Sequence, residues 1–421
     1  MPENYKKSLF SNFAALSIIQ GANFVLPVIV MPFVIRRIGA DRFGVVSVAQ
    51  VVMIFLSTIT DYGFNLTATR DIALYKGDIG KVSRIFSTVL ASKFVLCAVV
   101  FVLFWGLARF IPVIRVNLLL YFLGFLYVVG QSSLVSWFFQ GMEKMQYITA
   151  GTLVARLVFV ALVFIFIRHK GDEVYFLFFL GIGNVVAGIF SIYLAFWLFK
   201  LEFHKPLRKD IAHELRHGWH LTLSNLSINT YQYVNILVLR IFTNDLVVGY
   251  YSVAEKIFFA VRQILGVFSQ VVYPRMCQLT IQGARQVATF IKDIYLPFLL
   301  LVAAGSTLVF FTAPYIVYVF FNSRPALPVT LLRILSFVPV IVCLNIPAYQ
   351  VLLAFDRKKS YFRILATATI VNLAANLLFC STWGAVGTTI SIIITELFVT
   401  AGLNWELYKN NLSAFIKPSS I

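Results

Sequence analysis

Runs of about twenty apolar residues, repeated from one end of the chain to the other, constrain the fold more than any motif does. A helix crossing the hydrocarbon core of a bilayer needs about 20 mostly apolar residues. That ruler predicts spans at 11–35, 43–60, 86–108, 117–139, 149–167 and 174–199. After a polar interval it predicts six more, at 219–241, 247–272, 294–321, 330–355, 361–380 and 385–407. Of the 421 residues, 60% are hydrophobic and 12% charged, and the mean hydropathy is +0.87. A water-soluble protein of this length needs far more polar surface. The expected fold is therefore all-α, a polytopic membrane protein of about 12 transmembrane helices.

The formal net charge of +18 does not mark a nucleic-acid binder, because the Lys and Arg residues sit in short loops between apolar runs. With the N-terminus inside, the inner loops and tails carry more than twice as many of them as the outer loops. The positive-inside rule then predicts that both termini are cytoplasmic. Arg36, Arg37 and Arg42 resist this count, since they follow the first helix on the outer side. The stretch Met1–Ser8, with Lys6 and Lys7, leads into an apolar run without a small-residue cleavage site, so the first helix is expected to be retained.

The longest inner connection divides the chain into an N-terminal six-helix lobe (1–199), a cytoplasmic amphipathic connection (200–218) and a C-terminal six-helix lobe (219–421). An internal echo agrees with this division: Gly44-Val45-Val46-Ser47-Val48-Ala49 opens the second helix and Gly249-Tyr250-Tyr251-Ser252-Val253-Ala254 opens the eighth. Six helices per half return the chain to its starting side, which makes the halves parallel pseudo-repeats.

A charge at bilayer depth costs roughly 2.5–3.5 kcal/mol on insertion scales and is rarely turned toward lipid. Polar residues inside the apolar runs are therefore the candidate functional groups. On the eighth helix Glu255 stands one heptad above Arg262, and Lys256 above Gln263 and Gln270, which gives a broad polar face of net positive charge. The competing reading is a structural ion pair between helices. Asn225, Asn229 and Gln232 line one side of the seventh helix, with Ser224, Tyr231 and Asn235 close by. These groups suit sugar hydroxyls and equally suit helix–helix hydrogen bonds. Gln20 and Asn23 follow helical spacing on the first helix. Arg156 on the fifth lies deep enough to line a cavity or to snorkel, whereas Lys93 and Arg333 are expected to snorkel to nearby helix ends. Glu396 on the twelfth helix is a candidate proton carrier or the partner of a cation on another helix. Asp61 and Arg70 mark the inner end of the second helix, as candidate inner-gate residues or structural loop contacts.

Cys97, Cys277, Cys343 and Cys380 are far apart and read as small packing residues. His213, His217 and His220 read as a solvated interfacial face, so no metal site is expected. There is no phosphate loop of the Walker type. No cofactor is expected, and no outer loop is large enough for a catalytic pocket, so the reading is a transporter and not an enzyme.

The run Gln20-Gly21-Ala22-Asn23, with Pro27, Pro32, Arg36, Gly39 and Phe43-Gly44, resembles the start of the bacterial O-antigen repeat-unit flippases (the Wzx type). Asp61-Tyr62-Gly63-Phe64-Asn65-Leu66 with Ala68-Thr69-Arg70 is the most specific match. Val248-Gly249-Tyr250-Tyr251, Ala254-Glu255-Lys256-Ile257 and Tyr273-Pro274-Arg275 continue it. The resemblance implies the multidrug/oligosaccharidyl-lipid/polysaccharide exporter superfamily, with two lobes opening alternately to either side of the bacterial inner membrane. It implies an undecaprenyl-diphosphate-linked oligosaccharide as cargo, with Lys256, Arg262 and Arg156 as candidate diphosphate partners and Gln20, Asn23, Asn229, Gln232 and Asn235 as candidate sugar contacts. Glu255 and Glu396 become ion-coupling candidates, and the polysaccharide polymerase and chain-length regulator become candidate partners beside membrane lipid. The alternatives are a cation-coupled drug exporter of the same fold, a lipid II flippase and, less expected, a membrane polysaccharide polymerase.

Overall fold

The computed structural model describes residues 28–415, and these are helical almost throughout with no strand among them. A first helix is described over 28–38 (α1), followed by α2 (Ala40–Asp61), α3 (Phe64–Leu74), α4 (Ile79–Ala108) and the single turn α5 (Pro112–Val116). Next come α6 (Leu118–Ser133), α7 (Ser136–Gly141), α8 (Met145–Phe166), α9 (Val174–Phe199) and α10 (Arg208–Phe242). The rest are α11 (Asp245–Gln282), α12 (Ala284–Phe290), α13 (Leu296–Phe321), α14 (Ala326–Ser336), α15 (Val338–Ala354) and α16 (Lys358–Lys409). A π-helical turn, Ile291–Tyr295, joins α12 to α13.

Nine stretches among the described residues are long and apolar enough to span a bilayer. The last of them, Lys358–Lys409, is two helices in one. Gly384 breaks it with φ 55° and ψ −132°, a conformation open to glycine and hostile to residues with a Cβ. The 35-residue α10 has the length of a span but is more polar. These elements coincide in order with the second to twelfth spans expected from sequence, while most of the first, 11–35, lies outside the described residues. Large apolar side chains face outward, Phe311 being 68% exposed, as befits a surface in contact with lipid instead of water.

The described residues form two compact units, Ile29–Tyr233 and 234–415, and the boundary falls inside α10. The expected amphipathic connection at 200–218 is thus largely helical, continuous with the seventh predicted span.

In the first unit α6 packs along α9, flanked by α2, α4 and α8. Small residues allow this approach, as is usual where lipid supplies no hydrophobic drive between helices. A Cβ on Gly130 would stand 2.6 Å from Asn184 Cβ, and one on Gly181 only 2.7 Å from the Leu126 backbone. At one end Trp137, Phe138 and Phe139 of α7 close an aromatic core, with Phe86 edge-on to Phe138 at 5.2 Å. Asp78 caps α4 by accepting from the Lys81 backbone N–H at 3.1 Å, and this bond holds its carboxyl below the usual carboxylate range. The arginines that resisted the orientation count are partly neutralised where they stand. Arg42 lies 3.5 Å from Glu173 and 4.0 Å from Asp41, and Arg37 sits over the Phe33 ring at 5.5 Å.

The second unit centres on α11, α14, α15 and α16. Gln350, fully buried, ties α15 to its neighbours. Its amide donates to the Ser269 carbonyl at 2.9 Å and hydroxyl at 2.8 Å, and its oxygen accepts from Tyr295 at 2.5 Å.

Replacing Gly181 with Leu is expected to overpack the α6–α9 seam and cost about 1–3 kcal/mol. The check is the thermal midpoint of the detergent-solubilised protein. Gly106→Leu, where a Cβ meets nothing within 4 Å, should leave that midpoint unchanged.

Candidate functional site

The polar group most exposed to the cost of burial in the first unit is Lys93. Its side chain is 2% exposed, halfway along the thirty-residue α4. An ammonium at that depth requires a carboxylate, and Asp61 supplies one at 3.1 Å, with the Leu134 carbonyl at 3.5 Å. The expectation that Lys93 snorkels is therefore corrected. The helix begins at Ile79, earlier than the apolar run suggested, and its end is out of reach of a lysine stem.

Asp61 stands at the end of α2, where the chain turns through two left-handed residues, Tyr62 (φ 47°) and Gly63 (φ 77°), before α3 begins. Gly63 is needed twice over, for its φ and because a Cβ would lie 2.7 Å from Leu221 Cβ on α10. The corner brings Asn65 back over Asp61, and its amide donates to the second carboxylate oxygen at 2.6 Å. This is the structural content of the Asp61–Leu66 motif.

Asp61, Asn65 and Lys93 open onto a cavity of about 500 Å³ wholly within the first unit. Ser57 and Thr58 of α2, Tyr127 and Gln131 of α6, Ser136 of α7 and Asn225 and Asn229 of α10 complete its polar lining, and Ile54, Leu66, Leu134 and Ile228 its apolar lining. Gln131 donates to the Tyr127 hydroxyl at 3.2 Å, and Asn229 donates to the Thr58 hydroxyl at 2.5 Å. Hydroxyls and amides, each able to donate and accept, thus converge with one ion pair. The cavity thus presents a compensated charge, with Asp61, 24% exposed, the more accessible member of the pair.

The candidates named from sequence are scattered by comparison. Asn229 lines the cavity, as does Asp61. Arg70 is exposed on α3 and lies outside the lining. Arg156 on α8 is half-buried within electrostatic reach of Tyr127, and its Nε has no hydrogen-bond partner. Gln232 is half-buried and outside the lining. In the second unit Arg262 pairs with Glu396 of α16 at 3.7 Å, so that cation meets a carboxylate from another helix instead of Glu255 on its own. Asn235 is buried and accepts from the Asn376 amide at 2.8 Å. Glu255 is buried with Oε1 unbonded, and Lys256 beside it is half-buried. Gln20 and Asn23 lie outside the described residues. Sequence reasoning missed Thr58, Asn65, Tyr127 and Gln131. The i, i+4 pairing of Tyr127 with Gln131 inside an apolar run was the available signal.

Lys93→Met is expected to strand the Asp61 carboxylate and reduce the yield of folded protein, and the Lys93→Met/Asp61→Asn double variant to recover it. Breaking a buried pair costs about 3–5 kcal/mol, and the partial exposure of Asp61 places this case at or below the lower end. Size-exclusion profiles of the purified variants read the difference; equal losses in single and double variants would count against the pair.

Comparison with known proteins bears on what such a cavity belongs to. The chain is 28% identical over 413 residues to the "Putative O-antigen transporter" of Escherichia coli (strain K12), covering 97% of this chain and 98% of that protein. A Shigella dysenteriae protein of the same description is 28% identical over 393 residues, 92% of this chain and 97% of its own. Among solved structures, an inward-facing multidrug resistance MATE family transporter of the MOP superfamily superposes with a TM-score of 0.72 at 15% identity, over 96% of each chain. The lipid II flippase MurJ, in an inward closed conformation, superposes with a TM-score of 0.73 at 12% identity, over 96% of this chain and 90% of its own. These likenesses establish the fold, and the resemblance read from the Asp61–Leu66 and Gly249 segments agrees with them. The pattern of one family, described as polysaccharide biosynthesis protein, matches residues 9–280, more than half the chain, and the chain is a member of that family.

Proposed function

We propose that this protein moves an undecaprenyl-diphosphate-linked oligosaccharide, the repeat unit of an O-antigen or similar surface polysaccharide, from the cytoplasmic to the periplasmic leaflet of the bacterial inner membrane. The observation that carries this reading is the cavity of about 500 Å³ inside a membrane-spanning unit, lined mainly by amides and hydroxyls. Polar groups gathered around a cavity in a bilayer protein are costly unless satisfied by one another, by water or by a polar ligand. A neutral sugar chain offers hydroxyl and amide partners in the same mixture. The relatives named as O-antigen transporters, and the fold shared with a lipid II flippase, support the same cargo class. Alternating access of the two units, with both termini cytoplasmic, completes the reading. Transport requires no covalent chemistry, and the polysaccharide polymerase and chain-length regulator are the partners that would take the product.

A drug exporter of the same fold is the second reading, and one observation favours it. Asp61, 24% exposed, is the more accessible member of the cavity's ion pair, and its carboxylate is the group a cationic compound would meet.

The deciding experiment is the lipid-linked oligosaccharide pool of a deletion strain, resolved by membrane leaflet. A complete repeat unit stranded on the cytoplasmic face is the expected result. An unchanged pool, with drug sensitivity instead, would overturn the flippase in favour of the exporter. Single units reaching the periplasm unpolymerised would point to a polymerase. In the complemented strain Asn229→Leu and Gln131→Leu should each cut surface polysaccharide severalfold at normal protein level, by loss of hydrogen bonds of about 0.5–1.5 kcal/mol each.

A further inference from the structure

The second unit holds a recess of opposite character, a slot of about 220 Å³ between α11, α13 and the α14–α15 pair. Its lining is apolar apart from two serines, and along α13 it follows one helical face: Phe298, Val302, Gly305 and Val309. The four-residue connection 322–325 joins α13 to α14, and the slot is lined from Phe298 to Val309 on α13 and from Leu332 to Pro339 on the α14–α15 pair. The slot is open at Gly305, where a Cβ would meet nothing within 4 Å.

A cation marks the Val309–Leu332 end. Arg333 donates from Nε to the Phe310 carbonyl at 3.3 Å and rests its guanidinium over the Phe310 ring at 5.1 Å. Further toward the connection, Arg324 sits over Tyr315 at 4.8 Å and Tyr318 at 5.7 Å. Among the described residues no carboxylate lies in ion-pair range of either arginine. Aromatic seats orient the two guanidiniums and leave their forked donors for an anion, a geometry suited to phosphate.

Resting on the flippase reading, we propose that this slot holds a segment of the polyisoprenoid chain of the carrier lipid, with its phosphates on Arg333 and Arg324.

The test is native mass spectrometry of the full-length protein in detergent with undecaprenyl diphosphate bearing no sugar, and phosphatidylglycerol as competitor. Gly305→Phe, which fills the slot, and Arg333→Gln, which removes the charge, should each lower carrier occupancy at least tenfold while phosphatidylglycerol occupancy stays constant. Gly305→Leu serves as the smaller filling variant should Phe disturb folding. Undiminished carrier binding in the filled and Gln variants would overturn the slot and leave the flippase reading standing. Equal displacement by phosphatidylglycerol at equal concentration would reduce it to a general lipid site. A wild-type protein that takes no carrier at all would overturn the slot, while the flippase reading stands or falls on the leaflet-resolved pool of the deletion strain.

Discussion

Inside a bilayer a buried polar atom has only protein to bond to, and the Lys93–Asp61 pair shows how far that constraint organises the first unit. Lys93 cannot reach water from the middle of α4, so a carboxylate has to be held against it. The end of α2 must then stop at one place, and the left-handed corner at Tyr62 and Gly63 follows directly. That corner swings Asn65 onto the free oxygen of Asp61, and it fits against α10 only because residue 63 lacks a side chain. The ion pair ties α2 to α4, the corner places α3 and meets α10 at Gly63, and the cavity is the space these elements leave with α6 and α7.

The same constraint explains why the spans were legible in the sequence and the site was not. A twenty-residue apolar run needs no partner to declare itself, because intrahelical hydrogen bonds satisfy its whole backbone. Span order therefore followed from hydropathy alone, including the pair separated by Gly384. The polar partners come from distant helices and leave no local trace. Sequence offered Glu396 as the partner of a cation on another helix but could not name the cation, which is Arg262, more than a hundred residues earlier. Asn235 similarly meets Asn376. Lys93 was misplaced for a more ordinary reason. The polar first turns of α4, from Ile79 to Ile85, extend the helix below the apolar run, so a lysine read as near an end is at the middle.

Small residues carry the rest of the specificity. With lipid tails as apolar as leucine, helices gain little by merely touching, and association depends on backbones that approach closely. Gly130 and Gly181 permit that on α6 and α9, which form the rigid wall bearing Tyr127 and Gln131. A wall of leucines would span a membrane equally well, but it would hold those two side chains farther from α2 and α10.

The cargo proposed here is itself divided, with a polar head that avoids hydrocarbon and a polyisoprenoid tail that avoids water. The two units are divided along the same line. Transferring an amide or hydroxyl into an apolar slot without partners costs several kcal/mol, and exposing a chain of methylenes in a polar cavity forfeits about 0.8 kcal/mol for each. The first unit's cavity is thus a poor place for the tail, and the second unit's slot is a poor place for the sugar. Each recess, taken by itself, selects for one part of such a cargo and against the other. Under this reading, variation in the sugar repeat among such proteins is expected at residues like Gln131 and Asn229, while the slot beside Arg333 answers to the one part of the cargo that does not vary.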